Sequence, residues 1–275
     1  MNYKEVVNKL AAVCPECAEC EARLLLEHIF AVSPAHILAE HDRDYSSDAL
    51  DSAIARRLSG EPLQYIIGKT EFYGLTFRVT PDCLIPRADT ELLCELLIRK
   101  LPKNAHFLEL CTGSGCIPIA TITNREDTSC LSLELFEPTA KLAEINRKLN
   151  NIPDSKLKII TGNALDTDFI LPLGTFDAIV SNPPYIPSAD IESLPSEVRR
   201  EPRAALDGGA DGMAFYRHFI SSYGSMLKND GFFAFEIGFD QAEAVRALSA
   251  SFGYSSEIFR DYGGNDRVAV LRHII

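Results

Sequence analysis

A chain of 275 residues with 46% apolar and 24% charged side chains has the make-up of a soluble globular protein of one large domain or two modest ones. Its formal net charge of −12 argues against broad, non-specific nucleic-acid binding, which rests on many Lys and Arg contacts to phosphate. No apolar run approaches the roughly 18 residues of a bilayer span, and Met1–Leu10 lacks the apolar core and cleavage site of a signal peptide. The expected location is therefore the cytoplasm, with no membrane partner.

The first 60 or so residues read as helices. Cys14, Cys17 and Cys20 form a C-x-x-C-x-x-C run, but a ferredoxin-like run wants a fourth Cys where Leu24 stands. The spacing also fits one side of a helix entering Glu21–Phe30, and no metal is expected. Apolar residues at 22, 25, 26, 29 and 30 give 21–30 helical spacing. Ser33-Pro34 starts another helix, and Leu50, Ile54 and Leu58 predict one over 47–58. Ser59-Gly-Glu-Pro62 ends it. Gly74 divides two aromatic and β-branched runs within 70–79, which predicts a β-hairpin. A helix is expected from about Asp89 or Thr90 to Lys100.

From there strand-like and helix-like segments alternate. Strands are expected at 105–110, 129–135, 157–160, 176–181, 231–237, 255–259 and 266–271, with helices such as 139–150 and 214–227 between them. That order predicts an α/β, doubly wound, mainly parallel sheet. Ligands bind such sheets beyond the carboxyl ends of the strands, where the strand order reverses.

Phe107-Leu-Glu-Leu-Cys-Thr-Gly-Ser-Gly-Cys116 is a strand entering a Gly-rich turn and then a helix. Gly113 and Gly115 permit unusual backbone angles and close ligand approach. The dinucleotide fingerprint fails at Pro118, and no Gly-Lys-Ser/Thr of a phosphate loop follows. Glu134, about 20 residues on at the end of the next strand, suits the two hydroxyls of a ribose. Glu137 is the competing acceptor.

The segment 176–186 is the most informative. A buried strand ends at Ser181, and Asn182-Pro183-Pro184-Tyr185 follows at once. The two prolines pre-order the loop. An NH2 group whose lone pair is delocalised is a poor nucleophile. The Asn182 side-chain oxygen and the Pro183 carbonyl can hold its two N–H groups, aim the nitrogen at a methyl sulfonium and stabilise the charge that builds there. Tyr185 can form one wall.

With these residues the chain resembles the bacterial release-factor glutamine methyltransferases. The resemblance spans nearly the whole sequence, through Gly60-Glu-Pro-Leu-Gln-Tyr-Ile-Ile-Gly68, Phe72-Tyr-Gly-Leu75, Ile85-Pro-Arg-Ala-Asp-Thr-Glu91, Cys111–Gly115, Asn182–Tyr185, Glu201–Gly209 and Asp266-Arg-Val268. It implies a Rossmann-like class I methyltransferase with a seven-stranded sheet, a helical partner-binding domain over 1–70, a hairpin linker over 71–85 and a catalytic domain over 86–275. The implied cofactor is S-adenosyl-L-methionine, held by Cys111, Thr112, Gly113, Ser114, Gly115, Glu134, Asn163, Ala164 and Asn182. The implied substrate is the Gly-Gly-Gln glutamine of class-1 peptide chain release factors, met by Asn182, Pro183, Pro184 and Tyr185. A monomer without metal or direct nucleic-acid binding is expected.

Four positions depart from the family pattern. Asp is usual where Glu109 stands, Gly where Cys111 stands, Asp where Asn163 stands, and a larger apolar residue where Ala164 stands. Arg87 and Glu91 are candidates to order the site's mouth, and Glu201, Arg203 and Asp207 to shape a substrate channel. Two other readings share the tetrad: a nucleic-acid amino methyltransferase, and a non-catalytic release-factor-binding module.

Overall fold

The computed structural model describes residues 1–40 and 42–274, and its elements follow the polar and apolar punctuation of the sequence. Contacts divide the chain into two units, residues 1–69 with 195–200, and residues 70–194 with 201–275.

The first unit is helical: α1 (Tyr3–Leu10), α2 (Ala18–Phe30), α3 (Pro34–Ala39), α4 (Asp48–Leu58) and α5 (Leu63–Ile67). Three starts are capped by short polar side chains. Asn2 and Glu5 form a reciprocal capping box on α1, Ser33 accepts from the His36 N–H, and Ser47 accepts from Leu50 N–H at 3.1 Å. Such caps satisfy donors that the helix itself leaves unpaired. Apolar faces from these helices, including Val6, Leu10, Leu25, Leu26, Leu50 and Ile54, form one core. Cys20 lies in α2 and Cys17 at its cap, while Cys14 sits in the turn that follows α1. The three cysteines therefore do not share one helix side as their spacing suggested, because Pro15 intervenes between two helices. The short helix α5, after Pro62, also exceeds what the breaker Ser59–Pro62 implied.

A charged group lies inside this unit. The Arg57 guanidinium, with its side chain 2% exposed, meets both oxygens of Glu21 at 2.8 Å and Glu197 at 2.6 Å. A buried ion pair is a weak source of net stability, but removing one partner leaves the other charge unpaired. Arg57→Met keeps much of the stem and deletes the charge. It should lower the stability of this unit by about 3–5 kcal/mol, read as a shift in chemical denaturation. A loss under about 1 kcal/mol, the scale of an exposed pair, would show that water or rearrangement compensates Glu21.

The second unit begins at Thr70, within the hairpin of β1 (Lys69–Phe72) and β2 (Leu75–Arg78). Tyr73 and Gly74 both have positive φ, 52° and 72°, as a two-residue hairpin turn of matching twist requires. Then come α6 (Glu91–Lys100), β3 (His106–Leu110), α7 (Cys116–Asn124), β4 (Ser129–Glu134), α8 (Glu137–Leu149), β5 (Leu157–Thr161), α9 (Thr167–Ile170), β6 (Phe176–Ser181), α10 (Ala214–Ser222), β7 (Leu227–Glu236), α11 (Ala242–Ser251), β8 (Tyr254–Arg260) and β9 (Asp266–His273).

One seven-stranded sheet has the order β5-β4-β3-β6-β7-β9-β8. Its pairs are parallel except those of β9, which runs antiparallel to β7 and β8. Both faces are covered. Phe107, Ala178, Val180, Phe232 and Ala234 pack with α6 and α7, while Leu108, Ile179, Phe233 and Phe235 pack with α10 and α11. This is why the central strands are apolar at successive positions. The helix expected over 214–227 stops at Ser222, and Leu227 already begins β7. Gly224 lies so close to the Tyr254 hydroxyl that a side chain there would overlap it, which fixes the chain's turn into the strand.

Candidate active site

The chain winds β3, β4, β5 toward one sheet edge and then resumes at β6 on the other side of β3. The reversal sets the carboxyl ends of β3 and β6 side by side, with Leu110 opposite Ser181 and the Ser181 hydroxyl donating to the Leu110 carbonyl at 2.7 Å. The Cys111 turn and the Asn182 loop leave the sheet from these two residues. They border a cleft of about 950 Å³, counting its open mouth, lined by residues including Cys111–Ser114, Glu134, Asn163, Ala164, Asn182 and Pro184.

Most of the predicted positions meet in this cleft. Cys111 holds φ 61° and Gly113 φ 57°, and a Cβ on Gly113 would meet only the Cys83 sulfur, at 3.9 Å. The main chain at Gly113 is thus open to approach. Gly115, at φ 79°, does not line the cleft; a Cβ there would press on Ile119 and Ala143 at 3.3 and 3.4 Å. Its role is the packing of the turn against α7 and α8. Thr112 is buried, and both its N–H and its hydroxyl donate to the Leu133 carbonyl.

Glu134 is 7% exposed. One oxygen accepts from Gly113 N–H at 2.8 Å and the other from Phe136 N–H at 3.0 Å. Each carboxylate oxygen has a second lone pair, so the group is held in place and still able to accept. Burial raises its pKa above the ordinary value against the pull of these N–H donors. Glu137 lies away from the cleft, 68% exposed and paired with Lys141 at 2.7 Å. Asn163 spends one acceptor site on Leu165 N–H at 2.9 Å. Ala164 is buried, and its carbonyl accepts from the Tyr223 hydroxyl.

In the tetrad, Asn182 and Pro184 face the cleft, Pro183 is buried, and Tyr185 packs partly buried against the core under α10. The Asn182 side-chain NH2 donates to the Thr90 hydroxyl at 3.3 Å. Desolvation pushes the Tyr185 phenol far above its usual range, so it stays protonated.

Arg87 and Glu91, the candidates for the mouth, have separate partners. Arg87 pairs with buried Glu201, whose other oxygen accepts from Ile85 N–H at 3.0 Å. Glu91 instead accepts from Tyr73 N–H at 2.7 Å and so ties the hairpin to α6. Asp207 accepts from Gly209 N–H and the Ser188 hydroxyl and pairs with exposed Arg203. These bonds close the loop after the tetrad on itself.

Sequence reasoning missed the braces. Gly208 lies against Tyr185 and Pro184, where a Cβ would stand 2.7 Å from the Tyr185 Cα. Gly212 lies against the Tyr185 carbonyl, which accepts from Gln241 at 2.9 Å. Buried Asn146 donates to the carbonyls of Ser114 and Arg78 and accepts from Arg78 N–H, tying the cofactor-type turn to the hairpin. The Gly-Gly pair at 208–209 is the one signal that could have pointed to such close approach.

The sequence patterns of two families match the chain: the PrmC N-terminal domain over residues 3–68 and the N-6 DNA methylase over 83–235. The release factor glutamine methyltransferase of Geobacter sulfurreducens is 37% identical over 260 residues, covering 92% of this chain and 89% of that protein. This chain belongs to the release factor glutamine methyltransferase family. The enzyme of the same name from Moorella thermoacetica is 36% identical, covering 96% and 94% of the two chains. A solved methyltransferase from Pyrococcus furiosus, 18% identical, shares the fold with a TM-score of 0.55, covering 82% of this chain and all of that one. The class I methyltransferase architecture and the helical N-terminal domain are thus those of the family.

One departure has a consequence for pH. Glu109 is fully buried on β3, with one oxygen accepting from Ser132 at 2.7 Å and the other unpartnered among the described residues. Burial pushes its pKa up to about 8. The folded protein therefore keeps a proton that the unfolded chain sheds near pH 4.5, and stability should fall as pH rises across that window and level off above it. Buried Glu236, pushed up to about 7 by desolvation, adds to the lower part of the fall. Glu109→Gln should flatten the decline, seen as urea midpoints that change less between about pH 5 and 8. An unchanged decline would place the proton elsewhere.

Proposed function

We propose that this enzyme transfers a methyl group from S-adenosyl-L-methionine to the side-chain amide nitrogen of the glutamine in the Gly-Gly-Gln motif of class-1 peptide chain release factors. The carrying observation is the placement of Asn182 at the carboxyl end of β6, in one cleft with the Cys111–Ser114 turn and Glu134. The residues present suit the cofactor: an accessible main chain at Gly113, a fixed buried carboxylate at Glu134 for the ribose hydroxyls, and Asn163 and Ala164 for the adenine. When bound, the cofactor supplies an electrophilic methyl group.

The protein's part is to hold and align the amide. The Asn182 side-chain oxygen and the Pro183 carbonyl accept from the two N–H groups of the glutamine, which fixes the direction of the nitrogen lone pair. As that nitrogen gains positive charge the same two acceptors hold it more strongly than in the ground state. Pro183 and Pro184 keep the loop in shape, and Tyr185 supports it from the core side. No ionisable base is required at this position. The enzyme is expected in the cytoplasm, as a monomer acting in translation termination.

The match to the N-6 DNA methylase pattern favours one second reading, methylation of an exocyclic amino group on nucleic acid. The decisive experiment incubates the enzyme with labelled cofactor and release factor, with and without RNA competitor, and weighs the glutamine peptide. A gain of one methyl on glutamine, unaffected by RNA, is expected. Label on nucleic acid alone would establish the second reading. Asn182→Ala should lower turnover about 100- to 1000-fold, with cofactor affinity changing less. Turnover within a few-fold of wild type would sink the mechanism.

We also propose that the helical unit docks the release factor. Its exposed carboxylates, among them Glu16, Glu19, Asp48 and Asp51, suit a basic partner. Contacts remote from the reacting amide can offset the cost of ordering a flexible target loop. Reversing these four charges to Lys should raise KM for whole release factor about tenfold or more and leave activity on a short Gly-Gly-Gln peptide unchanged. Equal effects on both substrates, or none, would remove the docking role.

A further inference from the structure

Beyond the cofactor turn and the tetrad, a third group touches Asn182. Thr90 is 2% exposed, in the 3-10 turn Ala88–Thr90 that leads into α6. Its hydroxyl accepts from the Asn182 side-chain NH2 at 3.3 Å, and the carboxyl group of Glu236, the last residue of β7, is a neighbour. Glu236 is 1% exposed, and its second oxygen has no partner among the described residues. Arg267 on β9, Arg87 and Asp89 before α6, the Tyr185 and Tyr216 phenols and the buried thiols of Cys94 and Cys116 are among the charged and titratable groups around it.

The direction of these bonds carries information. A side-chain amide has an oxygen that accepts and a nitrogen that donates, and nothing in its shape distinguishes the two ends. A hydroxyl has one hydrogen to give. In the structure Thr90 offers Asn182 a lone pair and not its hydrogen, accepting from the side-chain NH2 at 3.3 Å. The Asn182 NH2 then points at Thr90, and Oδ1 turns to the opposite side. With the amide reversed, a donor would stand where an acceptor is needed for a substrate N–H.

We infer that Thr90 is a positioning residue that holds the NH2 end of the Asn182 amide and so presents its oxygen to the substrate. The inference deepens the proposed amide methylation and rests on it for its effect on rate. The hydrogen-bond order itself does not depend on which substrate is methylated. The pairing is also invisible to a scan for catalytic motifs, since Thr90 lies 92 residues from Asn182 on a different element.

The test compares Thr90→Val, which keeps the shape and loses the hydroxyl, with Thr90→Ser, which keeps the hydroxyl. Thr90→Val should lower kcat on a Gly-Gly-Gln peptide about 10- to 100-fold, the scale of a misaligned reacting group. KM for the peptide should move less, and affinity for S-adenosylhomocysteine should stay within about threefold, since the cofactor end of the cleft is untouched. Thr90→Ser should stay within about threefold of wild type. In an Asn182→Ala background Thr90→Val should have no further effect on kcat, because the group it orients is gone. Should Thr90→Val fail to bind S-adenosylhomocysteine, the same comparison is made between Thr90→Ala and Thr90→Ser.

A readout independent of the reaction follows the Asn182 side-chain NH2 by 15N NMR, assigned by its disappearance in Asn182→Ala. Its hydrogen exchange should be slowed in wild type and Thr90→Ser and accelerate several-fold in Thr90→Val. Wild-type kcat in Thr90→Val, equal losses in the Val and Ser variants, full additivity with Asn182→Ala, or exchange that ignores the hydroxyl would each overturn the inference. An enzyme that methylates no glutamine peptide at all would refute the reaction reading, while the exchange measurement would still decide the orientation.

Discussion

The pairing of β3 with β6 is the constraint on which the site depends. These strands are adjacent only because the winding reverses after β5, and their register puts Leu110 beside Ser181. A turn after one and a loop after the other then necessarily share a cleft. A slip of one residue in either strand would turn its apolar side chains to the opposite face. It would exchange Phe107 for Leu108 between two cores already filled by α6 and α7 on one side and α10 and α11 on the other. The position of Asn182 relative to the Cys111 turn is thus enforced by packing on both faces of the sheet, well away from any ligand.

The polar groups of the cleft are held by bonds within the protein itself. Both oxygens of Glu134 are fixed by backbone N–H groups, the Cys111 turn is tied down through Thr112 and Asn146, and the Tyr185 carbonyl is fixed by Gln241. Groups locked by their neighbours lose little freedom when a ligand engages them. The cost appears as close approach and burial. Gly208 and Gly212 leave no room for a side chain beside the tetrad, and Glu109 and Glu236 keep oxygens without partners among the described residues.

Much of this was legible in the residues. Ser33 and Ser47 announced helix starts, Gly74 the hairpin, and seven apolar runs the seven strands of the sheet, because each is a local signal. The Gly-rich turn and the tetrad were legible because strand ends in this architecture converge. What stayed hidden was long-range. Nothing in the sequence around Thr90, Asn146 or Gln241 distinguishes an amide or hydroxyl that binds across the fold from one that faces water. Arg87 and Glu91 were candidates for the mouth, but the buried partner of Arg87, Glu201, stands 114 residues away and has no local signal. The segment 195–200 carries no local mark of membership in the helical unit.

That membership bears on how the chain is made. Arg57 and Glu197 are 140 residues apart, while the helices α1 to α5 of the helical unit are encoded before residue 70. At synthesis rates of about 5–20 residues per second, the guanidinium waits on the order of ten seconds for its second carboxylate. During that interval Glu21 is the one of its two carboxylate partners already synthesised. The helical unit of the nascent chain is therefore a different electrostatic object from the same unit in the finished protein, and only the emergence of Glu197 from the ribosome completes it.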